Sequence, residues 1–108
     1  AQLLGHDPEP YLRGALHAVW MAAQDVSDPA VVRALLDGAG LPAQAILDGC
    51  ATEQVARIYA SNLADAERMN VFGTPSFVVD GEVFWGQDRL DFLDEALRSN
   101  RPPYQATV

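Results

Sequence analysis

The three consecutive residues Gln87-Asp88-Arg89 are the part of this sequence best suited to binding a charged small molecule. They stand where a strand is expected to give way to a helix, and the free N–H groups and dipole at a helix start attract a carboxylate. The Asp88 side chain could also accept a hydrogen bond from an ammonium group, so that together these groups would bind a zwitterion. The simpler alternative is that Asp88 or Gln87 only caps the helix, which is worth about 1 kcal/mol, with Arg89 solvated in its first turn.

The dipeptide Thr74-Pro75, at the entry to a short apolar strand, is the second candidate. The cis form costs little at an X–Pro bond, and a fixed cis proline usually shapes a tight turn. We expect Pro75 to be cis and to turn the Thr74 N–H and C=O outward, where they could pair with a short peptide as one added antiparallel rung. The alternative is a trans proline that starts an edge strand.

The other residue types that can do chemistry are scattered. His6 and His17 have no Asp, Glu or Cys at metal-ligand spacing, so no metal site is expected. Cys50 is the single cysteine, which excludes an internal disulfide or CxxC pair among these residues. We expect Cys50 to pack as a small buried side chain. Ser27 and Thr52 are interpreted as helix caps, and no Ser/His/Asp set is evident.

Helical spacing of apolar residues predicts four helices ahead of the candidate site, after a loop or frayed helix end over Ala1–Pro10. The predicted helices are Tyr11 to Gln24, one that starts after Ser27-Asp28-Pro29 and ends at Gly38 or Gly40, one from Leu41-Pro42 to about Gly49, and one capped by Thr52 that runs to about Met69. A fifth helix follows the site, with Leu90, Leu93 and Leu97 facing the core.

Between the fourth and fifth helices the sequence predicts a β-hairpin. Ser76 to Asp80 and Glu82 to Trp85 are short and rich in Val and Phe, and Asp80-Gly81 favours a two-residue turn. Phe84 and Trp85 must point to opposite faces, and either could be the core residue. A lone hairpin is marginally stable. We therefore expect an incomplete sheet, to be completed by further residues of the native protein or by a second copy.

Composition restricts the class of protein. The 108 residues suffice for one domain, and 49% hydrophobic with 20% charged residues is typical of a soluble globular protein. A formal charge of −8 without any Lys argues against nucleic acid as a partner. No apolar run approaches the roughly 20 residues of a membrane-spanning helix. The sparse cysteine content favours a reducing cytoplasm.

Several motifs together resemble one family. Gly73-Thr74-Pro75-Ser76-Phe77, Asp80-Gly81 and Phe84-Trp85-Gly86-Gln87-Asp88-Arg89-Leu90 are similar to the 2-hydroxychromene-2-carboxylate isomerases, which belong with the kappa-class glutathione transferases in the thioredoxin superfamily. The resemblance extends back through Asp25-Val26-Ser27-Asp28-Pro29 and covers about Tyr11 to Leu97. The first motif is shared across thioredoxin-like proteins, and the Phe-Trp-Gly-Gln-Asp-Arg run is more specific.

The resemblance implies an α/β, thioredoxin-like fold with a helical insertion. Residues 1–108 would be a single partial domain, with about 10–70 as the helical insertion and 71–98 as the closing β-β-α unit. The first strand, first helix and second strand would lie upstream, with the family's reactive serine at the start of that helix. No residue of this sequence is therefore assigned a catalytic role.

The resemblance also implies a glutathione-dependent cis-trans isomerase of aromatic hydrocarbon catabolism. Glutathione would be the cofactor, a small aromatic carboxylate the substrate, and the protein a cytoplasmic homodimer. The residues expected to bind glutathione are Thr74, Pro75, Gln87, Asp88 and Arg89. Two alternatives stay open: a Dsb-type thiol-disulfide oxidoreductase, which an upstream CxxC would favour over a lone Ser, and a truncated, non-catalytic binding domain.

Overall fold

A computed structural model describes residues 1–104, which form five α-helices and a two-stranded antiparallel sheet. The elements are α1 (Glu9–Trp20), α2 (Pro29–Gly38), α3 (Ala43–Cys50), α4 (Glu53–Arg68), β1 (Ser76–Val79), β2 (Glu82–Trp85) and α5 (Leu90–Ser99), with short 3₁₀ turns at Gln2–Leu4 and Gln87–Arg89. The chain divides into two compact units, Ala1–Ala56 and a second that begins at Arg57. The domain limits expected at 10–70 and 71–98 stay a prediction.

The helix α1 is shifted towards the N-terminus relative to the prediction. It begins at Glu9 because Pro10 is tolerated in a first turn, where its missing N–H needs no partner. It ends at Trp20 rather than Gln24, since the chain reverses through Ala23, whose φ of 50° is left-handed. The leading residues that were predicted to be loop contain the Gln2–Leu4 turn.

Side-chain caps explain where two helices start. The Asp28 carboxylate accepts a hydrogen bond from the Ala30 N–H at 2.8 Å, so Asp28 caps α2. The prediction for Ser27 was wrong: its hydroxyl donates to Asp25 at 2.6 Å instead, and this bond lowers the pKa of Asp25. The Thr52 cap is confirmed, because its hydroxyl accepts from the N–H of Val55 at 3.4 Å.

The core of the first unit lies where α2 meets α3. Leu36, Ala43 and Ile46 are buried together there. Cys50, expected to be buried, is exposed. It is the last residue of α3, beyond the end of this apolar cluster, so the helix carries it out to solvent.

The hairpin is formed as predicted, except that β1 stops one residue short of Asp80. Asp80 and Gly81 have φ of 50° and 86°, the left-handed values of the tight turn that joins twisted antiparallel strands. Phe84 is buried, and α5 lies against β2. Leu90 and Leu97, which were predicted to face the core, are exposed, because a sheet of two strands is narrower than the apolar stripe of α5. Within residues 1–104 no helix has both the length and the apolar character to cross a bilayer.

Candidate functional site

The five residues predicted to bind a ligand lie around one cleft of the second unit. The cleft has a volume of about 400 Å³ and is lined by Thr74, Pro75, Trp85, Gly86, Gln87, Asp88 and Arg89. Two elements meet there: the turn that enters β1 and the 3₁₀ turn that leads from β2 into α5. The structure therefore brings together groups that are 12 or more residues apart in sequence.

The turn before β1 presents an unpaired piece of backbone. The Thr74–Pro75 bond is cis, which confirms the prediction. The Pro75 carbonyl accepts from the Gly86 N–H at 2.9 Å, and the Ser76 hydroxyl donates to the Gly73 carbonyl at 2.6 Å. Thr74 itself is exposed, and its N–H and C=O bond to no residue among 1–104. These groups are available to a ligand in the cleft.

Gly86 joins β2 to the 3₁₀ turn in a conformation that only glycine adopts readily. Its φ of 106° and ψ of 150° lie in a region essentially closed to residues with a Cβ. A Cβ added there would also collide with a carboxylate oxygen of Asp88. The missing side chain therefore makes the space in which the Asp88 carboxylate lies.

Neither Asp88 nor Gln87 caps the final helix, so this alternative was wrong. The intervening turn Gln87–Arg89 displaces the start of α5 to Leu90, and no side chain caps either helical segment. Asp88 lies inside the turn, where its carboxylate folds back towards Gly86 and accepts no hydrogen bond from the described residues. All three residues of the turn line the cleft. The Arg89 N–H donates to the Gly86 carbonyl at 3.2 Å, whereas the N–H groups of Gln87 and Asp88 bond to no described residue.

Arg89 supplies the positive charge of the cleft. Its guanidinium lies 5.6 Å from the centroid of the Phe92 ring, one helical turn along. In the described part of the chain it makes no ion pair. It also lines a second cavity, which shares Trp85 with the cleft, so its charge is available to either cavity.

Trp85 is a site residue that sequence reasoning left undecided. Phe84 is 6% exposed and belongs to the core, whereas Trp85 is 52% exposed and lines the cleft. The indole packs 5.1 Å from the Phe72 ring and over Gly73, where a Cβ would collide with it. Gly73, three residues before β1, could have indicated this position of the indole, because a large ring can pack closely against the backbone only where no Cβ is in the way.

An ion pair at the far end of β2 from the cleft was not predicted from the sequence. Arg101 donates two hydrogen bonds to Glu82, at 2.8 and 3.0 Å, and its guanidinium lies 3.9 Å from the Tyr104 ring centroid. The hydrogen bonds from Arg101 lower the pKa of Glu82 below its ordinary value. Nineteen residues separate the partners, and no local pattern signals such a pairing.

This arrangement can bind and orient a ligand. The half-exposed Trp85 ring forms one wall of the cleft. Around it lie a carboxylate acceptor, the N–H groups of a helical turn, a guanidinium and a stretch of unpaired backbone. No histidine, cysteine or serine is among the described residues that line the cleft. Nor do residues 1–104 contain a group of three His, Cys, Asp or Glu side chains that could hold a metal ion.

Comparison with known proteins gives two matches. The family described as the DSBA-like thioredoxin domain matches residues 3–98, which supports the predicted thioredoxin-like fold class. A 2-hydroxychromene-2-carboxylate isomerase from Sphingobium xenophagum is 33% identical over 89 residues, covering 82% of this chain and 46% of the relative. The chain thus spans about half the length of the curated relative it matches. No solved structure is significantly similar.

Proposed function

Because this chain belongs to the DSBA-like thioredoxin domain family, we propose that it is the glutathione-binding part of an isomerase similar to 2-hydroxychromene-2-carboxylate isomerase. The single observation that carries the proposal is the cleft in which Thr74, Pro75, Gln87, Asp88 and Arg89 come together. The similarity to the curated isomerase supports the reaction class.

The groups of the cleft match the parts of glutathione. The γ-glutamyl end is a zwitterion, and Asp88 can accept from its ammonium while the N–H groups of Gln87 and Asp88 donate to its carboxylate. The unpaired N–H and C=O of Thr74 can pair with the cysteinyl backbone, as one rung of a ladder. Arg89 is free to compensate the second carboxylate, that of the glycyl residue. The ammonium and the glycyl carboxylate thereby each have a partner of opposite charge, and the γ-glutamyl carboxylate has hydrogen-bond donors.

Under this proposal, the described residues hold the thiol peptide but do not carry out the chemistry. Glutathione would supply the thiol that adds reversibly to the substrate and permits rotation about a double bond. Trp85, half exposed at the cleft wall, offers a flat apolar surface beside that thiol. The substrate would be a small aromatic carboxylate, and the setting aromatic hydrocarbon catabolism in the cytoplasm.

The test is calorimetric titration of the 108-residue chain with reduced glutathione, comparing Asp88→Asn with Asp91→Asn. Both substitutions remove one carboxylate and keep the shape, but only Asp88 lines the cleft, while Asp91 lies in the first turn of α5. A hydrogen bond to a charged group contributes about 1.5–3 kcal/mol. We therefore expect Asp88→Asn to weaken binding roughly 10- to 100-fold, and Asp91→Asn to bind like the wild type.

A truncated ligand makes the assignment specific. Cysteinylglycine lacks the γ-glutamyl zwitterion, so Asp88→Asn should not weaken its binding further. Equal losses for Asp88→Asn and Asp91→Asn, or an effect of Asp88→Asn that persists with cysteinylglycine, would remove Asp88 from the site. Absence of binding at millimolar glutathione would refute the proposal.

A second candidate, a Dsb-type thiol-disulfide oxidoreductase, is favoured by the description of the family. Its chemistry requires a thiolate that attacks a disulfide. Cys50 is exposed but lies in the first unit and does not line the cleft. Glutathione binding that survives Cys50→Ser supports the isomerase proposal. If Cys50→Ser abolishes binding, and mass spectrometry of the wild type shows a mixed disulfide with glutathione, the oxidoreductase is favoured.

A further inference from the structure

The outer edge of β2 carries backbone groups without partners. In the hairpin register Val79 pairs with Glu82 and Phe77 with Phe84. The bond from the Gly86 N–H to the Pro75 carbonyl continues this alternation by one step. Residues between bonded pairs point their N–H and C=O away from the partner strand. The N–H and C=O of Val83 and Trp85 therefore face outward, and none bonds to another described residue.

A groove runs along this edge. It has a volume of about 340 Å³ and is lined by all four residues of β2, by Arg89, Phe92 and Glu95 on one side of α5, and by Arg101 and Tyr104. Consecutive strand residues alternate between the two faces of a sheet, so a cavity that contacts all four must follow the strand edge. A strand edge walled by a helix is the geometry in which an extended peptide adds as a further strand.

The charges of the groove are separated along its length. Arg89 forms no ion pair with the described residues, and it stands at the Trp85 end of β2. Glu95 lies six residues further along α5, about 9 Å at the rise of a helix. Glu82, at the opposite end of β2, is already bound by Arg101. One end of the groove is thus positive and the other negative, with the Phe92 ring between them.

We propose that the β2–α5 groove binds an extended peptide of about five residues as an added strand, with an acidic side chain at the Arg89 end, a basic one at the Glu95 end and an apolar one midway. The first, third and fifth residues of a strand share one face, so these three side chains can all point towards α5. The four spacings between the end residues span about 13 Å, and flexible Arg and Lys side chains can bridge the difference from the roughly 9 Å between Arg89 and Glu95. The groove and the cleft are separate cavities that share Trp85 and Arg89. Because Arg89 can bind only one of the two carboxylates at a time, peptide binding is measured without glutathione, and its outcome does not depend on whether glutathione binds.

The test uses the peptide acetyl-Lys-Val-Phe-Val-Asp-amide and the isotope-labelled 108-residue chain, followed by NMR titration. Binding should shift the Val83 and Trp85 amide signals. Two matched peptides separate the contributions: full N-methylation of the backbone removes strand pairing, and replacement of the Asp by Lys removes the pairing with Arg89. We expect each change to weaken binding at least tenfold. Equal affinity of the N-methylated peptide would overturn the proposal.

A pair of proline variants locates the bound strand. Val83→Pro removes an N–H that faces outward and makes no hairpin bond, so β1 and β2 should still pair. Val78→Pro makes the same change on the outer edge of β1. We expect at least a tenfold loss of affinity in Val83→Pro and none in Val78→Pro, with far-UV circular dichroism confirming that both are folded.

Other occupants would be visible in the same experiments. A loss in Val78→Pro but not in Val83→Pro would place the strand on β1 and overturn the proposal. A wild-type dimer in sedimentation equilibrium that Val83→Pro dissociates, without any peptide binding, would show that a second copy fills the groove. Absence of Val83 and Trp85 amide shifts up to 5 mM peptide, a limit of about 3 kcal/mol of binding, would likewise overturn it.

Discussion

Gly86→Ala tests the central geometric claim about the cleft, that the space for the Asp88 carboxylate exists only because residue 86 lacks a side chain. The φ of 106° and ψ of 150° at Gly86 would be strained with any Cβ, at a cost of about 1–3 kcal/mol. The new methyl group would also displace the Asp88 carboxylate, which lies where the Cβ must go. We expect a loss of stability and a loss of glutathione affinity.

Gly81→Ala is the matched control, because it introduces strain without a collision. Gly81 also has a positive φ, 86°, but nothing lies within 4 Å of its added Cβ. Left-handed backbone costs an L-residue about 1–2 kcal/mol. Gly81→Ala should therefore destabilise the hairpin to a similar degree and leave glutathione affinity unchanged. Gly86→Ala should weaken binding roughly 10- to 100-fold, as expected when a charge-assisted hydrogen bond is lost.

Urea denaturation in a Trp20→Phe background measures the stability of the second unit. Trp20 is 78% exposed, so its replacement should disturb little, and Trp85 then becomes the only tryptophan of the 108-residue chain. Its fluorescence reports the hairpin, while calorimetry reports glutathione. Wild-type glutathione affinity in Gly86→Ala would refute the claim that this glycine creates the space for Asp88. So would an equal loss of affinity in Gly81→Ala.

Three further predictions concern individual contacts. Because the folded-state pKa of Glu82 lies below its ordinary value of 4.5, the stability that Arg101 contributes is present above pH 4.5 and is lost as the pH falls through the lowered pKa. We therefore expect the urea midpoint to decrease more steeply in the wild type than in Glu82→Gln when the pH is lowered from 7 to 3. Asp28→Ala should cost about 1 kcal/mol by circular dichroism and Ser27→Ala less, since only Asp28 caps α2. Leu36→Ala should cost about 2–5 kcal/mol of unfolding free energy, because it leaves a cavity in the first unit.

The sequence predicted the features of the fold that depend on local rules. Helical periodicity located all five helices of the described chain, and the positive φ of Asp80 and Gly81 confirms the hairpin turn. The errors arose where neighbouring side chains compete for the same hydrogen bond. Asp28 and Ser27 could both cap α2, and only the coordinates show that Ser27 bonds to Asp25 instead.

The cleft was predictable in its members but not in its shape. The family resemblance implied that Thr74 and Asp88 bind one ligand, and they line the same cavity because the hairpin folds the two segments together. The inserted 3₁₀ turn was not expected, and it changes Asp88 from a helix cap into an unbonded acceptor. The ion pair of Glu82 with Arg101 could not be predicted, since pairing across such a separation depends on where α5 ends rather than on any local pattern.

Trp85 belongs to both proposed sites, through its side chain in one and its backbone in the other. Substitutions that affect only one of these two parts therefore distinguish glutathione binding from peptide binding. Its indole lines the cleft against Gly73, whereas its N–H and C=O point to the outer edge of β2. Gly73→Ala should push the indole aside and weaken glutathione binding without removing any backbone donor, so that peptide affinity changes little. Val83→Pro should do the reverse. If both substitutions weakened both ligands equally in the same titrations, the groove and the cleft would be one site, and the peptide would have to compete with glutathione.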